Sequence, residues 1–135
     1  MITMPKLLPT LFALALVASC ATGPQTIATP SGLVYESLRE GAGPHPAATD
    51  TVRVHYRGTF TDGREFDSSK PGEPAEFPLN HVIKCWTEGV QMMRPGGKAR
   101  LTCPAAIAYG ERGAGGGAIP PNATLLFEVE LISVR

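Results

Sequence analysis

Residues 123–134 read Ala-Thr-Leu-Leu-Phe-Glu-Val-Glu-Leu-Ile-Ser-Val. Leu125, Phe127, Val129 and Leu131 share one face, and Leu126, Glu128, Glu130 and Ile132 share the other. A period of two is that of a strand with one face buried. Residues 51–57 repeat it, with Val52, Val54 and Tyr56 opposite Arg53, His55 and Arg57. Downstream, 60–66 encloses Asp62-Gly63, the dipeptide of a tight hairpin. Residues 33–38 and 98–103 are further strand candidates, ended by Gly41-Ala42-Gly43-Pro44 and by Pro104. Residues 71–78 hold three prolines and read as a loop, as does the Gly/Pro-rich 110–121. One helix is expected over 86–93, because Trp86, Val90 and Met93 stand at i, i+4 and i+7, and Arg94-Pro95-Gly96-Gly97 ends it. The sum is an α+β domain: an antiparallel sheet with one short helix against it.

Composition agrees. The chain has 135 residues, one domain's worth, and 43% of them are apolar, enough for a core. Lys plus Arg and Asp plus Glu balance at 12 each, which argues against a nucleic-acid partner, since that needs a cationic face. Gly 15 and Pro 13 suit a turn-rich fold and not a helix bundle. No apolar run reaches the 18 residues of a membrane-spanning helix.

The first nineteen residues read as a secretory signal. Lys6 precedes an apolar stretch from Leu7 to Ala18 that only Pro9 and Thr10 interrupt, too short to cross a bilayer. A buried opening helix fits Pro9 and the polar shift after Cys20 less well. Leu16-Val17-Ala18-Ser19-Cys20 resembles a bacterial lipobox. That resemblance implies a lipidated Cys20, a membrane lipid anchor and a place in the cell envelope. Ala21, not Asp, points to the periplasmic outer membrane. A soluble secreted protein is the other reading. Residues 20–32, rich in Thr, Ala, Pro and Gly, are expected to be a flexible tether, and 33–135 the domain. Losing Lys6 leaves 11 − 12, a mature charge of −1.

Cys85 and Cys103 remain, 18 residues apart. In an exported protein they are either a disulfide or two buried thiols. There is no C-x-x-C pair, and His45, His55 and His81 lack metal-ligand spacing, so no metal is expected. Gly113 to Ala118 formally matches G-x-G-x-x-A. It runs into Ile119-Pro120-Pro121, which cannot open the helix that a dinucleotide loop requires. Asn122-Ala123-Thr124 is a glycosylation sequon by pattern alone.

Five segments fall in a telling order: Val54-His55-Tyr56-Arg57-Gly58; Asp62-Gly63-Arg64-Glu65-Phe66-Asp67-Ser68-Ser69; Val82-Ile83-Lys84-Cys85-Trp86; Ala108-Tyr109-Gly110; and Ile119-Pro120-Pro121-Asn122-Ala123-Thr124 running on to Leu131. Each is weak alone. Together, over about 33–135, they resemble the FKBP-type peptidyl-prolyl cis-trans isomerases. The resemblance implies an antiparallel half-barrel sheet wrapped around one short helix. It also implies an aromatic pocket without a cofactor. Trp86 would form its floor, Phe127 a wall, and Asp67 and Tyr109 would supply polar groups at the twisting amide. Tyr56, Phe66, Phe77, Val82, Ile83 and Ile119 would bind substrate, with the Ile83 N–H holding a carbonyl.

Two departures from the family pattern stand out. Ala75 replaces a second large aromatic, which would open one wall and weaken macrolide inhibitors of this family more than catalysis. Cys85 replaces the usual Gly before the Trp, and with Cys103 on a neighbouring strand this suits a disulfide. The 113–118 loop is about one residue longer than in compact family members.

Resonance holds the C–N bond planar against a barrier of about 18–20 kcal/mol. Water solvates the planar, more polar amide better than the twisted one, so a dry aromatic pocket favours the twist. The expected activity is therefore X-Pro rotation in exported, proline-containing polypeptides. A tethered binding or chaperone module with little catalysis is the alternative, and a purely structural lipoprotein a third reading. A monomer is expected.

Overall fold

The computed structural model describes residues 25–135; the expected signal segment, Cys20 and the start of the tether lie outside them. Seven strands form one antiparallel sheet: β1 Gln25–Ala28, β2 Val34–Arg39, β3 Thr51–Phe60, β4 Glu65–Ser68, β5 Ala75–Pro78, β6 Lys98–Cys103 and β7 Leu125–Val134. Their order is β1-β2-β6-β7-β3-β4, and β5 also pairs with β3. Among the described residues there is one α-helix, α1 Lys84–Val90, which follows a 3-10 turn over Leu79–His81. This is the expected α+β architecture.

The period of two does what it should. Leu125, Val129 and Leu131 of β7 are fully buried and Phe127 nearly so, as are Val52 and Val54 of β3 and Ala99, Leu101 and Cys103 of β6. Cys85, Trp86, Gly89 and Val90 of α1 pack into the same core. The helix sits very close to the sheet: a Cβ on Gly89 would come within 2.8 Å of a Leu101 methyl. The opposite sheet face carries ion pairs, Arg39–Glu130 at 2.8 Å, Lys98–Glu128 at 3.3 Å, Arg100–Glu36 at 3.2 Å and Arg57–Glu65 at 2.7 Å. Exposed pairs of this kind contribute at most about 1 kcal/mol each. They mark the solvent side more than they hold it together.

Cys85 and Cys103 are joined as a disulfide, their Cα atoms 5.7 Å apart. Both are fully buried, so the bond ties the first turn of α1 to the last residue of β6 inside the core.

Three boundaries differ from the sequence reading. The helix runs over Lys84–Val90 and not 86–93. Met93 is buried as expected, but in the turn that follows, where Met93 N–H donates to Val90 O at 3.0 Å. Residues 75–78, read as loop, form an edge strand, with Pro78 at its last position, opposite Thr51. Proline is tolerated at such a place because the missing N–H faces away from the ladder. Residues 25–28, read as tether, pair with β2 from Gln25↔Ser37 to Ala28↔Val34.

Candidate functional site

The site is built around Trp86 in the first turn of α1. Three rings meet its indole edge-on: Tyr56 from β3 at 5.3 Å and 83°, Phe77 from β5 at 5.5 Å and 89°, and Phe127 from β7 at 5.4 Å and 87°. Near-perpendicular stacking sets the positive edge of one ring against the negative face of another. Trp86 is almost fully buried, and its Nε1 has no hydrogen-bond partner among the described residues. Gly58 makes room behind this box. A Cβ there would lie 2.7 Å from Phe66 Cζ and 2.9 Å from Phe127 Cε1.

The rings open onto a cavity of about 450 Å³, lined by Tyr56, Asp67, Phe77, His81, Val82, Ile83, Trp86, Tyr109 and Phe127. Eight of the ten residues that the resemblance carried over converge here. Phe66 and Ile119 do not line it. Phe66 stands behind Phe127, edge-on at 5.6 Å, and leans on Phe60 at 5.0 Å, so it backs the wall instead of forming it. Ile119 is buried in the core, and its backbone exchanges two 3.0 Å hydrogen bonds with Ala114. Ala75 is paired with Val54 and contributes nothing to the lining. His81 is the member that sequence reasoning missed: the resemblance reached back only to Val82, and a histidine without ligand spacing gave no signal of its own.

The polar groups divide into committed and free. Tyr56 donates its hydroxyl to Asp67 Oδ2 at 2.8 Å, and Asp67 Oδ1 accepts the Ser68 N–H at 2.9 Å. Asp67 itself is solvent-exposed, so it reaches the cavity from the rim and fixes the Tyr56 wall. Burial pushes the Tyr56 hydroxyl well above its ordinary ionisation range, and the bond to Asp67 and its charge act in the same direction. Burial, then the Asp67 charge, also raises Tyr109. Both phenols therefore stay neutral donors near pH 7. The Ile83 carbonyl accepts from Trp86 N at 3.0 Å and Thr87 N at 3.1 Å, while the Ile83 N–H meets no acceptor among the described residues. It is a backbone donor held at the start of a helix beside the aromatic floor. Among the described residues no group of three or more His, Cys, Asp or Glu is placed to hold a metal.

Fold and cavity together define a small antiparallel-sheet domain with an aromatic cleft that has an apolar floor and free donors at its edge. The chain belongs to the FKBP-type peptidyl-prolyl cis-trans isomerase family, whose model matches residues 43–132. It is 56% identical over 108 residues to the FKBP-type peptidyl-prolyl cis-trans isomerase FkpA of Aeromonas hydrophila, covering 79% of this chain and 40% of that protein. The crystal structure of FkpA from Escherichia coli is 46% identical with a TM-score of 0.76, covering 85% of this chain and 53% of that one. A peptidyl-prolyl cis-trans isomerase of Pseudomonas syringae pv. tomato is 40% identical at the same TM-score, covering 85% and 83%. The chain thus spans about 40–50% of the length of the curated relatives it resembles most strongly, 40% of the Aeromonas protein among them.

Proposed function

We propose that this domain accelerates cis-trans rotation about X-Pro bonds in polypeptides. The observation that carries the reading is the Trp86 floor, ringed by Tyr56, Phe77 and Phe127, with unspent donors at its edge on Ile83 and Tyr109. The prolyl ring rests on the indole. The Ile83 N–H and the Tyr109 hydroxyl hold neighbouring carbonyls and fix the chain on either side of the bond. The walls exclude water from the amide, removing the solvent's preference for the planar form. Asp67 acts through Tyr56, keeping that ring upright and its hydroxyl off the substrate.

No covalent intermediate is needed. A barrier lowered by about 5 kcal/mol speeds rotation a few thousandfold. The test is an X-Pro peptide isomerisation assay on the domain. Rapid isomerisation is expected, with kcat/KM falling about three- to tenfold in Tyr109→Phe, the cost of one hydrogen bond. Turnover at the uncatalysed rate by folded protein rules the reading out. Peptide binding without turnover would favour a holding module instead. Macrolide-type ligands are expected to compete for the same floor.

We also propose export, removal of the signal and lipidation of Cys20, with the domain held in the cell envelope at the outer membrane. The apolar stretch before a small-residue Cys junction motivates this reading, and a buried disulfide fits an oxidising compartment. Intact mass of membrane-extracted protein is expected to show loss of 1–19 and acyl chains on Cys20. An unmodified chain would overturn it.

A further inference from the structure

We infer that His81 is a specificity-determining residue that favours substrates carrying a carboxylate on the residue next to the proline. The inference rests on the isomerase reading of the same cavity. His81 ends the 3-10 turn Leu79–His81 and lines the cavity. The turn is pinned from both sides. Leu79 is fully buried, its N–H donates to Asp50 O at 2.9 Å, and its carbonyl accepts the Thr87 hydroxyl at 2.5 Å. The backbone under His81 is therefore fixed, while its ring is exposed and makes no hydrogen bond or ion pair among the described residues.

Two residues on stands the Ile83 N–H, the donor assigned to a substrate carbonyl. Successive residues of an extended chain are about 3.8 Å apart. A peptide anchored at Ile83, with its proline on Trp86, carries the adjoining side chain past His81. Of the other ionisable lining groups, Asp67 already accepts from Tyr56 and Ser68, one bond to each oxygen. Of the exposed lining side chains with polar groups that make no hydrogen bond among the described residues, Tyr109 is assigned to a substrate carbonyl, which leaves the imidazole for a charged side chain. A neutral imidazole gives one N–H to a carboxylate or accepts at its other nitrogen from an ammonium group, whereas a protonated ring gives two N–H bonds to a carboxylate and repels an ammonium, so over both states the ring favours the carboxylate.

The experiment measures kcat/KM for matched peptides with Glu or Lys immediately before, and in a second series immediately after, the proline. Binding of the same peptides is followed by fluorescence of Trp86, the only tryptophan in the chain. The readout is the Glu:Lys ratio, which cancels any general loss of folding or turnover. The wild-type ratio is expected to exceed one by about three- to fivefold in one series, the size of an exposed charged contact. His81→Glu should invert it and His81→Lys should keep it. Lys84→Glu, a charge reversal on an exposed residue that does not line the cavity, should leave it close to wild type. A ratio unchanged by His81→Glu in both series overturns the inference, as does an equal shift with Lys84→Glu. Peptides that bind with the expected ratio but are not turned over would refute the isomerase reading and leave His81 as a determinant of binding.

Discussion

Trp86→Ala is expected to remove most of the proposed isomerase activity and a large part of the stability. The indole is the floor of the cavity and the common neighbour of three rings. Removing a buried tryptophan leaves a hole that costs about 3–5 kcal/mol, against a total stability of about 5–15 kcal/mol for a domain. Folding itself is then at risk, so Trp86→Leu is the companion variant. A prolyl ring has three methylenes, each contributing about 0.8 kcal/mol when buried. Losing the floor forfeits about half of that, close to tenfold in kcat/KM. Leu fills part of the volume but has no flat face, so the leucine variant should stay folded by circular dichroism and still lose about tenfold. Wild-type kcat/KM in folded Trp86→Leu would mean that the proline rests elsewhere.

Removing the Cys85–Cys103 bond has the largest effect expected on stability alone. The bond closes a loop between residues 18 apart, and a closed loop of about that size constrains the unfolded chain by about 3 kcal/mol in the entropic account. For a domain of this length that is roughly 10–20 °C in Tm. Both cysteines are fully buried, so a reductant reaches them only when the domain opens. The comparison is therefore oxidised protein against protein reduced in denaturant and refolded with the reductant present. Cys85→Ala/Cys103→Ala should resemble the reduced form. A Tm within 2–3 °C of the oxidised protein would show that the sulfurs act mainly by filling space, each about as a small apolar group does.

Much of this was readable because it rested on one strong regularity. The alternation of β7 and β3 names the buried faces, down to Leu125, Phe127, Val129 and Leu131. The cavity was readable for a different reason: its members lie in short motifs whose order resembles one family, which brought together residues from Tyr56 to Phe127. What escaped was decided by neighbours and not by local composition. Residues 25–28 (Gln-Thr-Ile-Ala) are a four-residue stretch inside a Thr/Ala/Pro/Gly-rich segment, and only the edge of β2 makes them a strand. The prolines around β5 spoke for a loop, and the ladder to Val52 and Val54 overruled them. The helix began two residues early because Ile83, an extended residue with no side-chain cap, sets its start. Phe66 failed as a lining residue because an aromatic pattern does not say which ring stands in front. His81 belongs to the cavity only through the turn that carries it, and no spacing rule records that.

The pairing of β3 with β7 also governs how this chain comes to be folded. Val52 meets Val134 and Phe60 meets Leu125, so the two partners are separated by 134 − 52 = 82 and 125 − 60 = 65 positions. Contacts so distant along the chain are slow to form, because the connecting segment must be gathered before any reward arrives. A nascent chain stopped before residue 125 would leave β3 without its longest partner and the floor of the cavity without Phe127. Assembly of the sheet therefore waits for β7, and until it pairs, β3 and the cavity wall that Phe127 supplies stay incomplete.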